Sequence, residues 1–284
     1  MSAKPIVLCA DDFGLTEGVS RGILELGSMG RLSATSAMTN CPAFPRMAPG
    51  LEDLDGRIAV GLHLNLTTGA PLGPMPAFAP GGRFPESREV VRRAFTGRLP
   101  LEEISSEIER QLDAFEMALG RPPDFADGHN HVHVLPGVRA ALLRTLRERA
   151  PGAWVRDAAD RLGAIVRRGV SVRKALMVRG FSFGFEAAAR RSGLDANEGF
   201  SGFSPFDQTT EADAHRLFDA ALTALGPRPL VMCHPGYPDD ALREIDTVVD
   251  TRAVERAYLG SERFRELLEE RGVRLVARPT RAVA

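Results

Sequence analysis

Short, dense apolar runs alternate with amphipathic stretches along almost the whole chain, and several of the runs stop at an acidic residue or a histidine. Residues 5–10 are uninterruptedly apolar and bounded by charge, as a parallel strand covered on both faces would be. Residues 16–30 follow, with Val19, Ile23, Leu24 and Leu26 on or near one helical face and Thr16 in the N-cap position. The pair predicts a strand, loop, helix unit. Further strands are predicted at 33–38, 58–64, 125–126, 229–233 and 274–277. Helical spacing predicts helices at 88–95, 101–119, 136–150, 166–178, 211–225, 247–259 and 261–270. In the second of these, Ile104, Ile108, Leu112, Phe115 and Leu119 recur at intervals of three and four. Residues 67–85 are rich in Gly and Pro and have no period, so they read as an ordered excursion or a lid. The stretch 155–197 is basic and less regular, interrupted by Gly169, Gly180, Gly184 and Gly193.

Strand, loop and helix repeating over 284 residues imply an α/β fold with parallel strands, a barrel or an open sheet, built as a single domain over 1–284. In such folds the loops at the C-terminal ends of the strands carry the chemistry. Asp11, Asp12, His63, Asp127, His129 and His234 all fall at ends of inferred strands, which predicts one shared site.

Charge narrows the partners. With 37 acidic against 36 basic side chains there is no global field for nucleic acid or an anionic membrane, and a small or neutral partner fits better. The arginines of 166–178 read as a solvated helix face. Cys9, Cys41 and Cys233 are few, odd in number and far apart, which argues against a disulfide framework and a thiolate metal cluster. No apolar segment is long enough to span a bilayer, and the first one lacks the length of a signal peptide, so the expected location is the cytoplasm.

The segment Asp127-Gly128-His129-Asn130-His131-Val132-His133 holds half of the chain's 6 histidines. Imidazole and carboxylate are the ligands of borderline and hard divalent ions. A metal needs ligands from several directions, so four from one short segment is poor geometry, and at least one histidine should lie outside the coordination shell. Asp127 can orient an imidazole through its other nitrogen. Asp11 and Asp12 are adjacent carboxylates, which repel unless a cation or a shared proton relieves them. They read either as turn and cap residues or as one cation ligand beside a group that acts on water. Strand alternation places His63 with Gly61 and Asn65 on the face opposite Leu62 and Leu64. His234, before the turn signal Pro235-Gly236, suits an acid, a base or a structural role. His215 reads as a surface residue.

Ala10-Asp11-Asp12-Phe13-Gly14-Leu15, Gly61-Leu62-His63-Leu64, the Asp127 to His133 segment with Leu135-Pro136, and Cys233-His234-Pro235-Gly236 occur in this order. Together, over about residues 4–277, they resemble the YdjC-like carbohydrate deacetylases of the ChbG and HpnK type. The resemblance implies a distorted (β/α) barrel of the polysaccharide deacetylase type. It also implies one divalent metal ion (Zn, Ni, Co, Mn or Mg) on Asp12, His63 and His129, with Asp11 as base and His234 as acid. Two imidazoles make Mg the least natural of these ions. The implied substrate is an N-acetylated sugar or oligosaccharide, such as a chitooligosaccharide or a lipid-linked N-acetylglucosamine on a hopanoid. The alternatives are another metal-dependent amide or ester hydrolase and a non-catalytic metal or carbohydrate-binding protein. Asp127, His131, His133, Asn65, Phe181 and Phe183 are expected on the substrate side or behind the ligands. Phe181, Phe183 and Phe185, spaced by Ser and Gly, read as a core-facing strand or a sugar platform, and Trp154 as a further contact. Surplus apolar helix faces and the resemblance also suggest a homodimer.

Overall fold

The computed structural model describes residues 3–281. Nine strands form one sheet: β1 (Lys4–Phe13), β2 (Ala34–Ala37), β3 (Ala59–Leu64), β4 (Phe125–Gly128), β5 (Trp154–Val155), β6 (Asp195–Ala196), β7 (Phe200–Ser201), β8 (Leu230–Cys233) and β9 (Val273–Leu275). Their order is β6-β5-β4-β3-β2-β1-β8-β7, with β9 beside the start of β1, and every one of these pairs is parallel.

The edge strands β6 and β7 are separated in the chain by only Asn197, Glu198 and Gly199. So short a link spans roughly 14 Å at most. The two edges must therefore approach each other, and the sheet curls into a distorted barrel. Asn197, buried at the seam, ties it together. Its Oδ1 accepts from the Asp157 N–H at 2.7 Å and its Nδ2 donates to the carbonyls of Asp157 and Gly199.

Helices cover the outside: α1 (Glu17–Ser28), α2 (Phe44–Met47), α3 (Ser87–Phe95), α4 (Leu101–Leu119), α5 (Val138–Arg149), α6 (Leu162–Arg168), α7 (Val172–Phe181), α8 (Phe185–Arg191), α9 (Glu211–Ala221), α10 (Asp240–Ile245), α11 (Asp250–Gly260) and α12 (Glu262–Glu270). Thr16 caps α1, its side chain accepting from the Val19 N–H. The helix expected at 166–178 is broken: Gly169 ends α6 at φ +69°, and Ser171 at φ +45° starts α7 in a new direction. Residues 67–85 are an ordered excursion fastened to α4. Glu107 accepts the Leu72 N–H, and Glu103 accepts the N–H groups of Ala77 and Phe78.

Inside the barrel, β3 and β4 make a packed floor beneath the predicted site. A Cβ on Gly61 would lie 2.6 Å from the Phe125 ring, so only glycine leaves room for it. Phe125 in turn stacks on Trp154, with ring centroids 4.2 Å apart and planes within 8°. Trp154 is thus core in the barrel floor, and the expected substrate contact is not made there.

Candidate active site

The strand order brings the predicted residues to one rim. β8, β1, β2, β3, β4 and β5 are neighbours in that sequence, and they end in or near His234, Asp11-Asp12, Ser36, His63, Asp127-Gly128-His129 and Arg156. Register makes several of them direct neighbours. Ala10 pairs with Cys233, so Asp11 and His234 are the next residues on adjacent strands; His63 pairs with Asp127; Ala126 pairs with Val155, one residue before Asp127 and Arg156.

A regular strand would point Asp11 and Asp12 to opposite faces. The pairing of β1 with β2 instead slips between Ala10 and Phe13, and Asp12 sits at φ +72°. Such a bulge re-aims side chains at a barrel rim. Here both carboxylates are buried and both reach the site.

Asp12 Oδ1 is the meeting point of two imidazoles, 3.2 Å from His63 Nε2 and 3.0 Å from His129 Nδ1. Its other oxygen, Oδ2, accepts from buried Arg252 of α11 at 2.7 Å. On the far side of the His63 ring, Nδ1 lies 2.6 Å from Asp127 Oδ1 and 2.9 Å from Ser36 Oγ. A proton on Nδ1 faces Asp127 and leaves Nε2 turned towards Asp12. One oxygen and two nitrogens converge within hydrogen-bonding distance, which is the donor set and spacing of ligands that share a small cation. The residues present fit a divalent ion. Burial would depress His63, but Asp127 and the hydrogen bonds to Asp12 and Asp127 hold it up to about 10. Burial would raise the Asp12 carboxyl, yet Arg252 and His129 keep it well below the usual carboxylate range.

Asp11 is clamped rather than free. Arg156 Nη1 donates to its Oδ2 at 2.7 Å and Nη2 to its Oδ1 at 2.6 Å, and Nη2 also lies 2.5 Å from Asp127 Oδ2. One buried guanidinium therefore fixes both Asp11 and the carboxylate that orients His63. Burial alone would raise Asp127, but Arg156 and His63 hold it below its ordinary value. His133 supports the clamp from behind, its Nε2 donating to the Arg156 carbonyl at 2.9 Å. Burial lowers His133 to about 4.

His234 is held through its backbone N–H, which donates to Glu255 Oε2 at 2.7 Å. Burial pulls its imidazole down to about 4, against the opposing pull of Asp12 and Asp11. Burial pushes Glu255 up to about 7. Arg156, Arg252, Ser36 and Glu255 escape a reading of the sequence. Arg156 is one of many arginines in a basic stretch, Arg252 and Glu255 sit in an ordinary amphipathic helix, and Ser36 lies in a short strand with no motif around it.

Several expectations are revised by geometry. Asn130 and His131 have φ of +53° and +58°, so the histidine segment is a turn. His131 leaves the ligand cluster and packs against Phe200 and Phe203, at 5.8 Å and 5.5 Å between centroids. Asn65 spends its side chain on the protein, Oδ1 accepting from Thr67 and Thr68 and Nδ2 donating to Asn40 and Thr68. Phe181, Phe183 and Phe185 lie across the α7–α8 junction and do not alternate along a strand. Phe181 packs on Phe95, Phe183 is 82% exposed, and Phe185 is buried against His133, so the three rings make no common platform. His215 is partly buried, with Nδ1 2.8 Å from the Tyr258 hydroxyl.

The model of the YdjC-like protein family matches residues 5–270. A chitooligosaccharide deacetylase of Citrobacter koseri is 31% identical over 271 residues, covering 95% of this chain and 96% of that protein. The crystal structure of a putative cellobiose-phosphate cleavage protein from Enterococcus faecalis superposes with a TM-score of 0.74 at 23% identity, covering 98% of both chains. The catalytic domain of a peptidoglycan N-acetylglucosamine deacetylase from Eubacterium rectale gives 0.50 at 9% identity, covering 100% of this chain and 94% of that one. These two likenesses concern the fold alone.

Proposed function

Since the chain belongs to the YdjC-like family, we propose that it is a metal-dependent carbohydrate N-deacetylase that releases acetate from an N-acetylated oligosaccharide of the chitooligosaccharide class. The observation that carries the reading is the convergence of His63 Nε2 and His129 Nδ1 on Asp12 Oδ1, with the clamped carboxylate of Asp11 on the adjacent residue. The similarity to chitooligosaccharide deacetylases supports the substrate class.

Asp12, His63 and His129 would hold the ion, which when bound supplies Lewis acidity to the acetyl carbonyl and the attacking water. Asp127 fixes the His63 ring so that Nε2 faces inward. Asp11 accepts a proton from the water that attacks the amide carbon, and Arg156 keeps both of its oxygens in line for that transfer. The C–N bond then breaks as His234 passes a proton to the departing nitrogen, leaving a sugar amine and acetate. An imidazole near 4 rests neutral at pH 7. The proton that His234 delivers is the one Asp11 took from the water, passed on between these neighbouring strand-end residues, so that Asp11 is a carboxylate again when the amine has left.

The test is acetate release from diacetylchitobiose, longer chitooligosaccharides, a lipid-linked N-acetylglucosamine, simple N-acetyl amines and acetyl esters, with Zn, Ni, Co, Mn or Mg supplied one at a time. Release from the sugars, dependent on the added ion, is expected. Release from the non-sugar substrates alone would replace this reading by a general amide or ester hydrolase. Sugar or metal binding without any turnover would replace it by a binding protein.

A further inference from the structure

The imidazole of His234 has no polar anchor of its own. Its buried Nδ1 meets no hydrogen-bond partner among the described residues, and the tie to Glu255 runs through the backbone N–H. A ring held only by its backbone can swing, and a swinging proton donor loses the alignment that acid catalysis needs. What the ring does touch is Phe206, edge to face, with centroids 5.2 Å apart and planes at 79°.

Phe206 is strained in a way that calls for a reason. It sits at φ +59°, a region that bulky L-residues avoid unless their surroundings impose it. The surroundings here do so. Buried Ser204 accepts the Phe206 N–H at 2.9 Å and the Gln208 Nε2–H at 2.8 Å, stapling the loop from both sides of Phe206. On the ring's face, the ammonium of Lys174 from α7 lies 4.8 Å from the centroid, and burial lowers its proton affinity. A strained loop, a helix and the end of β8 thus converge on one aromatic ring that touches the imidazole.

We propose that Phe206 is a positioning residue that acts through His234, holding its imidazole in the orientation that delivers a proton to the departing amine. The inference rests on the reading of His234 as the acid of an N-deacetylase. In the step concerned the acetamide C–N bond breaks, the electron pair stays on nitrogen, and the proton moves from imidazolium to that nitrogen, returning the ring to neutral imidazole.

The experiment uses a leaving group as the discriminator. An amine cannot leave without a proton, whereas para-nitrophenolate can, so para-nitrophenyl acetate reports every part of the site except the acid. Wild type, Phe206→Leu, Phe206→Tyr, His234→Ala and the Phe206→Leu, His234→Ala double variant are assayed on both substrates with the same metal. Thermal melting checks that each is folded. For Phe206→Leu, kcat on diacetylchitobiose should fall by about 10- to 30-fold, a fraction of the full worth of a general acid. KM and para-nitrophenyl acetate turnover should stay within about twofold, because binding and the nucleophilic step do not use the ring. Phe206→Tyr keeps the ring and should recover most of the amide activity, and Phe206→Leu should add nothing once His234 is gone. An equal loss on both substrates, or an additive loss in the double variant, would show that Phe206 supports the fold and does not act through His234. Should His234→Ala itself slow both substrates equally, the assignment of the acid fails, and the role of Phe206 fails with it. An amide-selective loss in His234→Ala alone sinks only the positioning role.

Discussion

Replacing Arg156 by methionine should strongly destabilise this protein. The guanidinium is buried and lies within 2.7 Å of three carboxylate oxygens on Asp11 and Asp127, both of them buried as well. Removing one partner of a buried ion pair costs about 3–5 kcal/mol, because the other charge is left uncompensated. Here one cation serves two carboxylates, which places the expected cost near 5 kcal/mol, a large share of the roughly 5–15 kcal/mol that holds a domain folded. The sign of the pH dependence follows from Asp127. In the wild type Arg156 and His63 hold it below 3.8 despite burial, so its stabilisation is present above 3.8 and lost as pH falls through the lowered value. Without Arg156, burial dominates and the folded pKa rises. The variant then loses stability as pH rises through that value, and its deficit against wild type is smallest near pH 4 and larger near pH 8. Urea unfolding at several pH values measures this directly. Arg156→Lys should recover little, since one ammonium cannot engage both oxygens of Asp11 and reach Asp127. Turnover of either variant should drop by about a hundredfold or more, as for a misaligned base. An unchanged unfolding midpoint, or a deficit that shrinks as pH rises, would refute the view of Arg156 as the central cation of the site.

Asp11→Asn should reduce acetate release by about 10²- to 10⁴-fold while calorimetry still detects ion binding, because Asp12, His63 and His129 are untouched; full turnover in this variant would reject Asp11 as the base. Chelation should abolish activity, with recovery on adding one of the candidate ions, and His129→Ala should weaken ion affinity; activity that survives exhaustive chelation contradicts the metal-dependent reading. Burial raises Asp157 from 3.8 to about 6, so its contribution is fully present below 3.8 and is lost as pH rises through 6. Asp157→Asn should therefore be more stable than wild type above pH 6, by about 1–2 kcal/mol after allowing for its partial exposure, and equal or less stable near pH 4; the opposite trend in urea melts would show that its bond to Ser182 outweighs burial.

The candidate rim was legible in the sequence where strands were long enough to leave a pattern. β1, β3 and β8 appear as apolar runs, and the residues at their ends include Asp11, Asp12, His63 and His234. β5, β6 and β7 are two residues each, too short for any period, so Arg156 after β5 and the seam residue Asn197 after β6 had no strand to mark them. The directions taken within the histidine segment were not legible. Alternation assumes an extended backbone, and the left-handed pair Asn130-His131 turns His129 to the ligands, His131 to the Phe200 and Phe203 rings and His133 to the back of Arg156. The bulge that lets Asp11 and Asp12 work side by side is likewise set by pairing with β2, a long-range fact that no local propensity records.

Charge gives these pieces their common sense. The fully buried groups at the rim include three aspartates, Asp11, Asp12 and Asp127, against two arginines, Arg156 and Arg252. Arg156 is consumed by Asp11 and Asp127, while Arg252 takes only the outer oxygen of Asp12 and shares itself with Asp246. Asp12 Oδ1 is therefore left to the two imidazoles that converge on it. Burying a carboxylate is costly even when it is paired, and the barrel holds a strained backbone at Asp12 to bring it there. A divalent cation held by those three donors would displace the imidazole protons and make the pocket more positive, which would favour a substrate that develops negative charge on oxygen as it reacts. The charge pattern and the donor geometry thus point to the same chemistry.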